Sequence, residues 1–323
     1  MKAVVCKKYG PPEVLRLEEV PKPSPGDKEV LVRVRAATVT KYDCWQRRCT
    51  APTGFGLLAR LSSGFSRPKR PILGTELAGD IEAVGKDISG FKVGDQVFGY
   101  TGMNLGAHAQ YICLPEEGVA LKPANMTYEE AATVLQGGLT ALFFLRKGHI
   151  RAGQKVLIFG ASGGVGTFAV QLAKYFGADV TGVCNGAKME MVKSLGADTV
   201  IDYAREDFSK SVDVFDVVLD TVGKSPVSGS RRSLKNGGYY VLTTFGLPKL
   251  MRLLWFSITS GKKIFIGTLK ERNEDLVFLK ELIESGKLIA VIDRVYPLEQ
   301  AVEAHRYVET GAKTGSVVLK IEK

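Results

Sequence analysis

The stretch KVLIFGASGGVGTFAVQLAKYFGA carries three glycines, Gly160, Gly163 and Gly166, between an apolar run and a segment in which Val165, Ala169, Leu172 and Phe176 share one helical face. In that strand, turn and helix setting the spacing points to a dinucleotide phosphate loop. Gly160 permits the tight turn, Gly163 lets the backbone approach a pyrophosphate, and Gly166 allows close packing of helix on strand. Ser162, Gly164 and Val165 complete the loop, and the helix start offers unpaired N–H groups and a positive dipole end to the phosphates. A glycine turn that serves packing alone is the competing reading. At the end of the second strand, TGVCNGAK puts Cys184 and Asn185 where an acid would bind the ribose 2′-hydroxyl of NAD, with Lys188 close behind. A carboxylate repels a 2′-phosphate, whereas an amide and an ammonium receive it, so the pattern favours NADPH over NADH. Lys188 also reads as a solvated lysine at a helix start.

Other chemistry-bearing residues are sparse. Five cysteines, Cys6, Cys44, Cys49, Cys113 and Cys184, form no C-x-x-C pair, which is poor material for a disulfide framework and fits a reducing cytoplasm. Cys44, Cys49 and His108 match no standard metal-ligand spacing, so buried structural roles are expected for them. His149 and His305 fall at a helix end and on a surface helix, where solvated roles are expected. In GTELAGDIEAVG, residues 74 to 85, Thr75 occupies a tight turn as a pocket hydroxyl or a packing residue.

Two frameworks must position these groups. A chain of 323 residues, 45% hydrophobic and 24% charged, has ordinary globular composition and suggests two domains. The first 120 or so residues alternate in short segments such as KEVLVRVRAATV and GDQVFGY, cut by Pro and Gly clusters, and predict an antiparallel β domain. From Thr127 the spacing becomes helical, opening with a capping box of Thr127 and Glu130. Six strand candidates then alternate with helix-length crossovers, which predicts a parallel, doubly wound sheet. The tail returns to strand, helix and strand, completing the first domain. The reading is residues 1–122 with 272–323 as a substrate domain and 123–271 as the nucleotide domain. No secretory h-region opens the chain and no run of 18 apolar residues occurs, so no membrane span is expected. The net charge of +10 is scattered along the chain, and a nucleic-acid partner is not expected.

Taken in order, these motifs make the chain similar to the medium-chain dehydrogenase/reductase superfamily, and within it to the zinc-free quinone oxidoreductase, or zeta-crystallin-like, branch. The resemblance runs through the opening MKAVV…YGPPEVL, GTELAGDIEAVGKDISGFKVGDQVFG, GASGGVGTFAVQLAK, SLGADTVIDY and RVYPLEQAVEAHRYVETGAKTGSVVL. It implies an α/β protein, with a GroES-like antiparallel β domain plus a Rossmann doubly wound parallel six-stranded sheet. The alcohol dehydrogenases of the family hold zinc at positions that here are Thr40, Thr75 and, less directly, Gln136. Hydroxyls and amides do not replace thiolate, imidazole or carboxylate, and TGMNLGAHAQYI lacks the cysteines of the family's structural zinc lobe, so no metal is expected. The resemblance places Thr40, Asp43, Trp45 and Thr75 in the substrate pocket. Thr140, Phe245 and Gly246 would lie near the nicotinamide, Val222 would be a further cofactor contact, and Tyr203 would join Lys188 at the 2′-phosphate. Family quinone reductases usually carry Asn where Thr40 stands and often Tyr where Trp45 stands. Tyr42 either substitutes as a pocket donor or faces the core.

Without a Lewis acid, oxidation of a simple alcohol is slow, whereas hydride delivery to a conjugated acceptor spreads its charge and needs only modest donors. The expected activity is NADPH-dependent reduction of a quinone or an α,β-unsaturated carbonyl, with water able to supply the final proton. Reduction of a 2-enoyl thioester is the alternative within the same fold, and a non-catalytic NADPH-binding protein with an RNA-binding or structural role is the alternative of another class. The Gly-rich, basic stretch TAPTGFGLLARLSSGFSRPKRPILG reads either as a cleft wall closing through Phe55, Leu57, Leu58 and Phe65, or as a surface excursion. LPKLMRLLWFSI reads as a pocket or dimer contact or as an ordinary packed helix. If KKIFIGTLK ends the sheet, its free edge makes a homodimer the expectation.

Overall fold

Short runs of β-branched and apolar residues, cut by Gly and Pro, build seven strands in the first part of the chain: β1 (Lys2–Cys6), β2 (Leu15–Glu19), β3 (Glu29–Val39), β4 (Glu76–Val84), β5 (Gln96–Tyr100), β6 (Tyr111–Pro115) and β7 (Val119–Leu121). Two helices, α1 (Lys41–Arg48) and α2 (Gly56–Ser63), interrupt them between β3 and β4. The computed structural model describes residues 1–267, 269 and 273–322. Thr127 opens α3 (Tyr128–Ala131) with the expected capping box: its Oγ1 accepts from Glu130 N at 3.2 Å, and Glu130 Oε2 accepts from Thr127 N at 2.8 Å. α4 (Val134–Lys147) follows.

The alternation expected from the sequence then unfolds as β8 (Lys155–Phe159), α5 (Gly164–Tyr175), β9 (Asp179–Cys184), α6 (Met189–Ser194), β10 (Thr199–Asp202), β11 (Phe215–Asp220), α7 (Val227–Ser233), β12 (Leu234–Leu242), α8 (Leu247–Ser260) and β13 (Lys263–Ile266). After α9 (Asn273–Glu284) come β14 (Ile292–Pro297), α10 (Ala301–Thr310) and β15 (Ser316–Lys320).

Strands β8 to β13 form one all-parallel sheet in the order β10-β9-β8-β11-β12-β13. The order reverses between β8 and β11, the switch point at which doubly wound sheets bind ligands. Its core joins Leu157, Val183, Val218, Leu234, Tyr240 and Leu242. Among the described residues β13 is the last strand of this sheet, the condition on which the homodimer expectation rested. The other large sheet runs β14-β15-β3-β4-β5-β7, with β6 pairing β3, and is antiparallel except where α10 returns the chain so that β14 and β15 run parallel. Val30, Val32 and Val34 of β3 pack with Leu77, Ile81 and the α10 residue Val308 in its core.

Two units result, one of Met1–Ala51, Gly56–Gln136 and Ala290–Lys323, the other of Pro52–Phe55 and Gly137–Ile289. They part later in the chain than the expected ends at 122/123 and 271/272, the second of which lies outside the described residues. Side-chain contacts account for the difference. Tyr128 of α3 donates to Asp80 of β4 and keeps α3 with the first unit. Arg146 of α4 pairs with Asp275 of α9, and Phe278 stacks on Phe176 at 6.3 Å, keeping α9 with the second. In α8, Leu253 is buried while Leu247 and Met251 are exposed.

Candidate active site

At the end of β8 the chain turns through Gly160, whose φ of +83° lies in the left-handed region. A Cβ there would sit 2.7 Å from Thr221 Oγ1 and 2.8 Å from Val222 Cγ1, so the turn passes directly under the end of β11. One turn into α5, a Cβ on Gly166 would sit 2.1 Å from the Gly160 carbonyl oxygen. Gly163 is the N-cap residue, and the nearest atom to a Cβ on it would be 3.5 Å away, which leaves its outer side open. Among the described residues no side chain caps α5, so the N–H groups of Gly164, Val165 and Gly166 have neither an intrahelical nor a capping partner there. Ser162 is buried and Val165 is half-buried. A backbone stripped of Cβ atoms over a helix start of unsatisfied donors fits a pyrophosphate.

The loop after β11 is held by a group the sequence reading missed. Asp220, fully buried, accepts from Val222 N at 3.1 Å, Gly223 N at 2.8 Å, Ser225 N at 3.0 Å and Ser225 Oγ at 2.6 Å. Lys249 of α8 adds an ion pair at 2.8 Å and donates to the carbonyls of Gly223 and Ser225. The Tyr240 hydroxyl lies 2.6 Å from Ser225 Oγ. This network sets the position of Val222, which is 41% exposed beside Gly160. Its sequence signal was Asp220 closing an apolar strand, a place where only a paired carboxylate can be buried.

At the end of β9, Asn185 is exposed, and its Oδ1 accepts from Ala187 N at 3.1 Å, which caps a turn and fixes the orientation of the amide whose Nδ2 is the group able to donate to a phosphate. Lys188 is half-buried and Tyr203 is exposed. Asp202 of β10, also missed, pairs in register with Cys184 and is buried, and a Cβ on Gly186 would lie 2.5 Å from its Oδ2. Its Oδ1 accepts from Ala204 N at 3.0 Å, and Arg205 Nε stands 3.7 Å from its Oδ2. Burial and then the Asp202 charge push the Cys184 thiol up to about 11, so it is not a nucleophile near neutrality. Thr140 is half-buried on α4. Gly246 is the N-cap of α8, and Phe245 meets Phe55 edge-on at 5.9 Å while Leu247 N donates to Thr53 O at 2.7 Å. Phe55 therefore packs as a contact of Phe245, whereas Leu57, Leu58 and Phe65, named with it as a closing wall, are exposed.

In the first unit the pocket candidates form a tight bonded group. Thr40 is the N-cap of α1, and Asp43 Oδ2 accepts from its backbone N at 2.7 Å and its Oγ1 at 2.6 Å. Asp43 Oδ1 accepts from Gly74 N at 2.9 Å, and Asp43 is fully buried, so its carboxylate ties α1 to the turn before β4. Thr75 is fully buried and its Oγ1 has no hydrogen-bond partner among the described residues. Tyr42 packs against the apolar core, and Trp45 is half-buried. The neighbouring Glu76 is buried, accepting from Thr38 Oγ1 at 2.6 Å and Gln136 N at 2.5 Å. Burial outweighs these donors and holds its carboxyl up at about 7.

His305 corrects an expectation: it is fully buried, because α10 turns that face onto the sheet. Its Nδ1 lies 3.7 Å from Cys44 Sγ, and its ring meets that of His108 at 5.7 Å. Burial, and then the His108 and Arg47 charges, hold it well below the usual imidazole range. His108 Nε2 donates to Thr38 O at 2.8 Å. Cys44 and Cys49 are buried, and burial pushes the Cys44 thiol up to about 12. Among the described residues no three His, Cys, Asp or Glu side chains are grouped to hold a metal, and no helix is long and apolar enough to cross a membrane. A cavity of 740 Å³ flanked by Val227, Arg231, Arg252 and Lys262 lies beside α7. Its lining combines guanidinium and apolar groups with the Lys262–Asp213 ion pair at 3.2 Å.

The family model described as an alcohol dehydrogenase GroES-like domain matches residues 26–124, and the one described as a zinc-binding dehydrogenase matches residues 195–319. A 2-methylene-furan-3-one reductase of Solanum lycopersicum is 35% identical over 99% of this chain and 79% of its own length. The structure of the quinone oxidoreductase from Coxiella burnetii superposes with a TM-score of 0.88 at 30% identity, covering 100% of this chain and 99% of its own. A mycobacterial structure solved in complex with NADPH superposes with a TM-score of 0.82 at 27% identity, covering 99% and 100%.

Proposed function

Because the chain belongs to the medium-chain dehydrogenase/reductase superfamily, in its quinone oxidoreductase branch, we propose that it is a zinc-independent, NADPH-dependent reductase of quinones or α,β-unsaturated carbonyls. The observation that carries this reading is the cradle of Gly160, Gly163 and Gly166 at the uncapped start of α5. When bound, NADPH supplies the hydride for the quinone or for the β-carbon of the enone. The chain's part is to hold and orient. The N–H groups of Gly164, Val165 and Gly166, with Ser162, take the pyrophosphate. Lys188 and Tyr203 take the 2′-phosphate, and Thr140, Val222, Phe245 and Gly246 position the nicotinamide end. Thr40, Trp45 and Thr75 shape the acceptor pocket. Asn185, its amide oriented by the Ala187 N–H, donates to the 2′-phosphate through Nδ2, and Asp43 is assigned a positioning role, since its oxygens are already engaged by backbone and hydroxyl donors.

Support for zinc independence is the chemistry of the donors. Thr40 Oγ1 is spent on Asp43, and Thr75 and Gln136 present a hydroxyl and an amide. We also place the protein in the cytoplasm as a homodimer, and the edge of β13, unpaired among the described residues, would favour the dimer. Steady-state oxidation of NADPH and NADH with quinones, enals and 2-enoyl-CoA esters tests the activity. Turnover of quinones or enals with NADPH is expected; preference for the thioester would move the reading to an enoyl reductase, and no turnover at all would favour a non-catalytic role. Lys188→Ala should weaken NADPH binding by about tenfold and leave NADH unchanged. Equal losses for both would remove the phosphate assignment, and stoichiometric zinc in the purified protein would overturn the metal-free mechanism.

A further inference from the structure

Helix α2 is turned inside out. A helix on a globular protein normally faces its apolar stripe inward. Here Leu57, Leu58 and Leu61, which fall within about 100° of one face at 3.6 residues per turn, are 66%, 61% and 56% exposed, while Ala59 and Ser63 turn inward. Phe65 follows at 64% exposure. The excursion is anchored at its base: Ser63 Oγ donates to Gln46 Oε1 at 2.7 Å, and the Tyr9 hydroxyl donates to Gly64 O at 2.8 Å. Its shape is therefore held while its apolar side chains face outward.

Charge supplies the second observation. From Cys44 to Thr75 the chain has no Asp or Glu, yet Arg60, Arg67, Lys69 and Arg70 are all exposed around α2. Arg60 donates to Phe65 O at 3.1 Å, Lys69 to Leu61 O at 2.9 Å, and Arg70 to the carbonyl of Met103. These partners are neutral carbonyls, so the positive charges stay uncompensated among the described residues. A second copy on this face would set one cationic patch against the same patch of its twin in a two-fold contact. An anionic lipid surface reverses that penalty, since apolar side chains enter the acyl boundary while cations lie among the phosphates.

We propose that residues 56–70 dock this protein on an anionic bilayer surface, through Leu57, Leu58, Leu61 and Phe65 with Arg60, Arg67, Lys69 and Arg70. The inference goes beyond the proposed reduction and does not depend on which acceptor is used. It is tested by flotation of the full chain with vesicles of phosphatidylcholine alone and of phosphatidylcholine mixed with phosphatidylglycerol. Binding to the mixed vesicles only, weakened by salt, is expected. The variant Leu57→Ser/Leu58→Ser/Leu61→Ser should lower the partition coefficient at least about tenfold, and Arg67→Gln about fivefold. Absence of binding to mixed vesicles overturns the proposal, as does equal binding by the triple variant, which would assign binding to the scattered charge of the whole chain. A triple variant that turns a dimer into a monomer would identify a second copy as the occupant. One that raises KM for a small water-soluble acceptor without changing flotation would identify a substrate lid; either result overturns the bilayer assignment.

Discussion

Asp220 and Glu76 are both buried carboxyls at an end of a strand, one in the parallel sheet and one in the antiparallel sheet, and they are kept in opposite ways. Asp220 has four backbone and hydroxyl donors and an ammonium within hydrogen-bond distance. Glu76 has two neutral donors, with Asp43 raising and Lys313 lowering its pKa from further off. Both carboxyls are removed from water, and the number and charge of the donors that meet them differ: a cation and four donors at Asp220, two neutral donors at Glu76, whose pKa burial raises to about 7. An ion pair fixes the loop beside Gly160, whereas a titrating acid lies next to Thr75.

The comparison breaks most sharply at Lys249. Lys249→Met leaves Asp220 buried without its cation and should cost about 3–5 kcal/mol in denaturant unfolding. Adding Asp220→Asn to it should restore a large part of the loss, and an unchanged single variant would show that the ion pair contributes nothing.

Glu76 comes next. Its folded pKa of about 7 stands above its ordinary 4.5, so between those values the native state binds a proton that the unfolded chain has released, and stability falls as pH rises. Full ionisation above pH 7 costs about 3 kcal/mol. His305 acts with the opposite sign: its pKa is depressed from 6.5, so its contribution is complete above 6.5 and is lost as pH falls. The two slopes oppose each other between about pH 4.5 and 6.5. Glu76→Gln should remove the fall toward pH 7 and expose the His305 slope in melts taken from pH 5 to 8; an unaltered profile would contradict the assignment.

Smaller effects sharpen the contrast. Ser225→Ala removes a hydroxyl donor to the ion-paired Asp220 and should cost about 2 kcal/mol. Thr38→Val removes the hydroxyl donor of Glu76 and should cost about 1 kcal/mol at pH 8 and less below pH 4.5. Unfolding of the Thr38 variant measured at both pH values checks the Glu76 assignment.

The parallel sheet and its glycine loop were legible because they rest on local patterns: an apolar run, Gly160, Gly163 and Gly166, then helical spacing. The capping box of Thr127 and Glu130 is local in the same way. Asp220 with Lys249, and Cys44 with His305, join residues far apart in the chain, and no periodicity encodes such pairs. His305 was misplaced for that reason, since α10 is amphipathic and only tertiary packing selects the side on which an imidazole is tolerated. The bonding of Asn185 to its own turn was equally hidden, because an amide after a strand suits a ligand and a turn alike.

The return of β15 to pair with β3 sets an order of events during synthesis. Every strand of the parallel sheet has been made by Ile266, whereas the antiparallel sheet waits for Ser316–Lys320. A ribosome-bound chain can pair Glu29–Arg33 of β3 with β6 early but holds the Ala36–Val39 end of β3 without β15 for most of its elongation, the interval in which strand edges invite aggregation and chaperones act.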